Sequence, residues 1–594
     1  MNNRKLFLSM VVSVICIGLF LTGCGKKEMQ MNTAPTSLFE GIAEIDYSSW
    51  EIGKPGGAIT VSLVNDPKTL NIMVADETTT TDVLNRVYDF IVARNILTLE
   101  WEGKLVESWV ISDDSKTITF TMRKGLQWSD GTPLTAEDVV FTVNEIYLND
   151  KVQGSQKDQF YIGDELAQVK LVDTNTFTIT TPVIYADIVS LANFRVVPKH
   201  ILEPLIAEKG IEAVNSFWGV DADVKTIVGS GPFTIDEYVP GQRLILAKNP
   251  HYWRKDAKGN RLPYLDKINL VIVEDNNTSF LKFLAGELDT MLRVRGEDVA
   301  TLIEKKKEGN FEIYNSGPEA STNFLTINQN VNTVPEPKLS WFSNKKFRKA
   351  LAYLIDRQTI IENVYFGFAT PQYSFVPRFS PLYWQGADEA APKFSPESAR
   401  QLLDELEMKD RDGDGIREDA NGNPVAFIMQ TNSSNTQRVK IGEIISQEMK
   451  KAGLDVTFKP GDFNTIITAL TNSYNWDMIV IGLTGSLQPF LSGNNVYPSR
   501  GNLHMIEPNQ ESPRRDWEKQ VDKLYIENTT TVDMEIRKST GYEMQKIWLD
   551  ELPWIYTVNQ AAIYVFKNRL GNIKPRNIEP YYSWMGICEF LYIK

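Results

Sequence analysis

Histidine and cysteine are scarce in this chain, at three of each in 594 residues. His200, His251 and His504 stand far apart, and none falls in a His-Glu-x-x-His frame, which argues against a zinc hydrolase of that kind. There is no Gly-x-Ser-x-Gly elbow and no Gly-x-x-x-x-Gly-Lys-Ser/Thr loop, so the serine hydrolase and the phosphate-loop nucleotide hydrolase have no support. Positive charge is also short. With 62 Lys and Arg against 76 Asp and Glu, the net charge is −14 and no basic arm is present, which disfavours nucleic acid and anionic membrane surfaces. Internal repeats and low-complexity tracts are absent. A secreted glycosidase working with two carboxylates remains a remote alternative, because an unaligned sequence does not show two acids facing one bond.

The run Leu6 to Leu21 holds about 16 mostly apolar residues, short of the roughly 20 that a spanning helix needs. Arg4 and Lys5 precede it and small residues follow, the three-part layout of a secretory signal over residues 1–23. An uncleaved anchor is the competing reading. Leu21-Thr22-Gly23-Cys24 resembles the lipobox of bacterial lipoproteins, which would make Cys24 a lipidated first residue rather than a redox group. Cleavage there would remove Cys16 and leave Cys588 as the one thiol, so no intrachain disulfide is expected. Residues 24–55 lack a buried pattern and are expected to form a flexible tether.

Between Thr117 and Arg123, Ile118, Phe120 and Met122 alternate with threonines, a period of two that predicts a half-buried strand. Ser129-Asp130-Gly131 closes a turn, with glycine where positive φ is needed. Thr135 and Asp138 then read as a capping box, and Val139, Val140, Val143, Ile146 and Tyr147 as the buried stripe of the helix it starts. Further on, Asn344 is a candidate N-cap for a helix with Phe347, Ala350, Leu351, Leu354 and Ile355 on one face. Ile441, Ile444, Ile445 and Met449 form another stripe, ended at Gly453 and followed by the strand Val456-Thr457-Phe458. Helices and strands alternating in this way predict an α/β sheet lobe.

The ordered string from Glu107 to Phe141 resembles one group, the family 5 extracellular solute-binding proteins of ABC importers, which holds oligopeptide, dipeptide and nickel receptors. Gly229-Ser230-Gly231-Pro232-Phe233, Asn249-Pro250-His251-Tyr252-Trp253, Ala285-Gly286-Glu287-Leu288-Asp289 and Phe347 to Arg357 resemble that family's later landmarks in order. The resemblance implies an α/β, two-lobed periplasmic-binding-protein-like fold of class II type with an additional smaller α/β domain. It places lobe I at 56–90, 225–300 and 545–594, the extra domain at 91–224 and lobe III at 301–544, with Gly286 to Met291 crossing between lobes. It also implies a lipid-anchored, extracytoplasmic, monomeric receptor without cofactor or catalysis, handing its solute to permease subunits. A sensory or chaperone-like lipoprotein of the same fold is the other function class.

Which solute is bound stays open. Oligopeptide stands first on family frequency, oligosaccharide second, nickel or haem third. Where peptide receptors of the family carry an acid for the peptide's amino terminus, the resemblance aligns Leu483, Thr484 and Gly485 of this chain, and Gly482, Leu483 and Thr484 are candidate ligand-binding residues there. A buried ammonium without a counter-charge is costly. Tyr383, Trp384, Trp476 and Trp554 are candidates for aromatic faces in the cleft, with core packing as the alternative among 13 Trp and 22 Tyr. Asn494, Asn495 and His504 are candidate hydrogen-bonding groups. Asp410, Asp412, Asp414 and Glu418 occupy positions one, three, five and nine of an EF-hand-like loop, but position twelve is Asn421, so either calcium or a solvated acidic turn fits.

Overall fold

The computed structural model describes residues 41–75, 78–162, 165–291, 294–576 and 584–594. The expected signal segment and Cys24 lie outside the described residues. Among those described, no helix is long and apolar enough to cross a membrane.

Lobe I is built on one extended sheet. Ala58–Leu63 runs parallel to Lys267–Ile272, which pairs antiparallel with Arg243–Lys248 and that in turn with Phe233–Val239. On the far side, Thr290 bridges both Val61 and Phe566 and so joins Val558–Lys567, which pairs with Phe311–Pro318. Gly286 to Met291 therefore stays inside lobe I and does not cross between lobes, contrary to expectation. The chain leaves at Pro318, enters lobe III at Thr322 and returns from Tyr556 to Val558. These two crossings lie side by side, tied by Thr557 N–H to Asn323 O (2.9 Å) and Glu319 N–H to Gln560 O (3.0 Å).

The same pairing moves the expected boundaries. Residues 301–318 belong with lobe I, and 545–556 with lobe III. Alternation at Phe311 and Ile313 marks a strand, but only its partner some 250 residues later assigns the sheet. The described part of the segment expected as a tether, 24–55, is tied to lobe I. Ala43 N–H donates to Ile313 O (2.7 Å), the Tyr47 hydroxyl to Pro575 O (2.6 Å), and Trp50 stacks on Phe590 at 4.0 Å.

The smaller domain is an antiparallel sheet in the order Val106–Ile111, Thr117–Met122, Thr176–Thr180, Gln168–Asp173. Its helix begins at the predicted capping box: Glu137 N–H reaches Thr135 Oγ1 (3.2 Å) and Thr135 N–H reaches Asp138 Oδ2 (2.9 Å). Val139, Val143, Ile146 and Tyr147 are buried, whereas Val140, about 100° around the helix from Val139, sits at the stripe's edge and is half-buried. Lobe III has five strands in the order Asp455–Gly461, Ala426–Asn432, Met478–Leu483, Thr322–Ile327, Trp554–Tyr556. The predicted helices appear as Lys345–Tyr353, capped by Asn344, and Thr436–Lys451, closed at Gly453 with φ +88°.

Candidate interlobe solute site

A cavity of about 570 Å³ opens between the smaller domain, the helix Thr78–Val87 and the segment 484–495 of lobe III. The helix is amphipathic. Thr80, Val83, Leu84 and Val87 are buried, while Thr78, Thr81, Asp82 and Asn85, spaced i, i+3, i+4, i+7, form a polar stripe along the cavity wall. On the smaller domain, Arg94 lies 3.9 Å over the Trp101 ring and pairs with Asp187 at 3.0 Å. The Trp101 indole N–H donates to Asp187 Oδ1 at 2.8 Å. Burial pushes the Asp187 carboxyl above its ordinary range, and Arg94 and Trp101 oppose that. Arg195 covers Phe90 at 4.5 Å. Two of the wall's cations are thus committed to aromatic rings, and one also to a carboxylate.

Across the gap, the strand Met478–Leu483 delivers the loop that begins at Thr484. Here glycine is required by close approach: a Cβ on Gly482 would stand 2.3 Å from Thr322 O, and one on Gly485 1.9 Å from Ala320 O, in the first crossing segment. Beyond them Thr484, Ser486, Gln488, Asn494 and Asn495 present hydroxyl and amide groups to the cavity. Among the described residues, two hydrogen bonds join the two sides. Asn494 Nδ2 donates to Asp158 O (3.2 Å), and Ala186 N–H to Thr529 O (2.8 Å).

Of the candidates from sequence, Thr484, Asn494 and Asn495 therefore line the cavity. Gly482 and Leu483 end the strand that carries the loop. The others are corrected. Trp476 and Trp554 are buried in the lobe III core, Trp554 stacked on Phe324 at 4.3 Å. Tyr383 is buried with its hydroxyl on Asp388 (3.2 Å), and Trp384 packs half-buried against the same core under the Lys546 ammonium. His504 is fully buried, its ring nitrogens at 3.0 Å from Val496 O and 3.3 Å from Glu518 Oε1, a core rivet. Large aromatics and an isolated histidine are first of all packing residues. The aromatics that do line the cavity, Phe90, Trp101, Tyr161 and Tyr185, went unrecognised. Trp101 sits between two glutamates with no periodic signal, but the polar stripe of 78–85 was readable.

The acidic loop brings one oxygen each of Asp410, Asp412, Asp414 and Glu418 within 4.8 Å of one another. All four carboxylates already accept backbone N–H groups. Gly413 (2.6 Å) and Gly415 (3.0 Å) donate to Asp410, Asp414 to Asp412 (3.1 Å), Ile416 to Asp414 (2.7 Å) and Arg411 to Glu418 (2.9 Å). The turn closes on its own backbone.

A family profile described as bacterial extracellular solute-binding proteins, family 5 middle, matches residues 100–502. The chain is 31% identical over 572 residues to a probable ABC transporter-binding protein of Deinococcus radiodurans, covering 92% of this chain and 95% of the relative. Among solved structures it is similar to Bacillus subtilis oligopeptide-binding protein AppA in complex with a nonapeptide, with TM-score 0.73, 22% identity and coverage of 91% and 100%. It is also similar to the periplasmic binding protein MelB of Agrobacterium fabrum in complex with stachyose, with TM-score 0.77, 19% identity and coverage of 93% and 87%.

Proposed function

We propose, from the premise that this chain belongs to the family 5 bacterial extracellular solute-binding proteins, that it is the receptor of an ABC importer and holds an oligosaccharide between its lobes. The observation that carries the solute class is the wall itself. Hydroxyl and amide side chains dominate it on the lobe III side, and Arg94 and Asp187 neutralise each other. Such a wall offers both donors and acceptors, which suits sugar hydroxyls, and Tyr161 and Tyr185 add ring surface. Oligopeptide is the second reading. Asp82 and Asp158 in the wall favour it by offering carboxylates to an amino terminus, and the AppA relative was solved with a nonapeptide.

Solute touching both sides favours the closed arrangement over the open one. Moving that balance from 1:99 to 99:1 takes about 5.5 kcal/mol of differential binding. The permease then receives the closed receptor, and no covalent bond in the solute changes. A thioether lipid on Cys24 holds the chain to the membrane, and Cys24→Ala is expected to release it into the soluble fraction.

Native mass spectrometry of protein purified without denaturation tests the solute class. A co-purifying species with hexose-spaced masses is the expected result. Peptide masses would replace the first reading by the second.

A further inference from the structure

His504 is fully buried behind the solute wall, and both of its ring nitrogens face oxygens that have no proton to give. Nδ1 stands 3.0 Å from the Val496 carbonyl and Nε2 3.3 Å from Glu518 Oε1. Glu518 Oε1 also accepts from Arg515 Nη1 (2.7 Å) and Gln510 Nε2 (3.0 Å), and Oε2 accepts the Arg515 N–H (3.0 Å). A carboxylate ringed by donors in this way stays ionised. A neutral imidazole carries a proton on one nitrogen and a lone pair on the other. Either tautomer would aim that lone pair at a buried oxygen and leave the oxygen short of a donor, which is costly.

Charge balance points the same way. The Glu507 and Glu518 side chains are 3% and 0% exposed, and Arg515 reaches both, at 3.2 Å and 2.7 Å. Arg514, the other partner of Glu507, is half out in water. Two buried acids thus share one largely buried guanidinium, and a second cation beside Glu518 makes the group neutral.

The ring is also tied to the wall. Val496 follows Asn495 directly, and Leu503, next to His504, donates its N–H to Asn495 O at 2.9 Å. Asn494 reaches Asp158 O across the gap. On its other side the ring meets rigid structure, since Glu518 lies in the first turn of the helix Asp516–Thr529 and the Trp517 and Trp548 rings stand 6.4 Å and 6.3 Å away.

We propose that His504 is a positioning residue held as an imidazolium, which donates from Nδ1 to the Val496 carbonyl and from Nε2 to Glu518 and so pins the solute-facing Asn494 and Asn495 to the helix Asp516–Thr529. The ring serves the wall from behind and touches no solute. The pin takes from the proposed function only that 484–495 is a wall of the solute site, and it holds whichever solute is carried.

Ring-nitrogen NMR of the full chain labelled in its three histidines, at pH 7 and without added solute, reads the protonation directly. The His504 ring, assigned by its disappearance in His504→Gln, is expected to carry a proton on both nitrogens. Hydrogen exchange reads the pin. His504→Gln still reaches toward Glu518 but leaves the Val496 carbonyl without its donor, and exchange at the Val496, Tyr497 and Leu503 amides is expected to rise by roughly fivefold or more. His504→Asn, whose amide nitrogen stands where Nδ1 stands, is expected to restore most of the protection. Amides of Phe427 to Met429, inside another strand of lobe III, report whether the fold is intact. If His504→Gln also loosens those, the ring protonation of the parent decides alone. A single ring proton on His504 at pH 7, unchanged exchange at the three amides in a folded variant, or an asparagine variant as loose as the glutamine one, overturns the proposal. None of these results touches the solute reading, which rests on the mass of the bound species.

Discussion

Lys104 Nζ lies 3.1 Å from Glu589 Oε1, and both side chains are buried although 485 residues separate them. Arg254 Nη1 (2.9 Å) and the Tyr252 hydroxyl (2.6 Å) complete the shell around the carboxylate, which ties the C-terminal segment to lobe I. Burial alone would raise the Glu589 pKa, but Lys104, Arg254 and Tyr252 outweigh it and bring it to about 2. A folded value below the unfolded one of about 4.3 gives stability that is present above that pH and lost as pH falls through the folded value. Glu589→Gln is expected to cost about 3 kcal/mol near neutral pH, the lower end for breaking a buried pair. The lower end applies because Asp89, 3.8 Å from Lys104 and itself pushed upward by burial, is left to take the cation. The variant is also expected to flatten the loss of stability between about pH 4 and pH 2. Denaturant titrations at several pH values check both.

Gly485 and Ala320 give a second expectation. A Cβ on Gly485 falls 1.9 Å from Ala320 O, where no flexible side chain can yield. Gly485→Ala must therefore push the 484–495 loop away from the crossing segment at Ala320. Solute affinity is expected to fall by about tenfold or more, the equivalent of roughly 1.4 kcal/mol. The melting temperature should change little, since the strand Met478–Leu483 keeps its partners. Titration calorimetry beside a thermal scan separates the two effects.

The acidic loop is expected to stay without calcium. The glutamate that would complete an EF-hand is replaced by Asn421, and each of the four carboxylates present already accepts at least one backbone N–H in the turn. Titration of millimolar calcium into chelated protein should give no binding heat. A saturable signal abolished by Asp410→Ala would reverse that view.

Local devices were legible because their causes are local. The Thr135 to Asp138 capping box, the Asn344 cap and the alternation at Ile118, Phe120 and Met122 each depend on residues a few positions apart. Lobe boundaries were harder to read. Phe311–Pro318 is a strand in either lobe until its partner Val558–Lys567 is known, and Thr290 reads as a crossing residue until it is seen bridging Val61 and Phe566. For the site, Thr484, Asn494 and Asn495 came from the loop's place after a strand. Trp476 and Trp554 were drawn in by residue type and His504 by the same polar loop that holds Asn494 and Asn495, and neither signal says whether a ring faces a cleft or a core.

Thr484 supplies the sharpest test of the solute class. It lies in the cavity wall, in the stretch where the family's peptide receptors are expected to carry an acid, and the carboxylates that line the cavity among the described residues, Asp82, Asp158 and Asp187, stand on the opposite side. Thr484→Asp would place a charge among hydroxyl and amide groups, facing a solute with no cation to meet it. Thr484 is exposed in the wall, so a carboxylate there keeps its water until solute covers it, and affinity for a co-purifying saccharide should fall by about tenfold. A peptide solute predicts the opposite sign, because an amino terminus gains a counter-charge in the same change. Calorimetry with the co-purified species and with a short peptide, on the parent and on the variant, gives four affinities. If the variant gains for peptide and the parent binds no sugar, the oligosaccharide reading falls and the interlobe site itself stands.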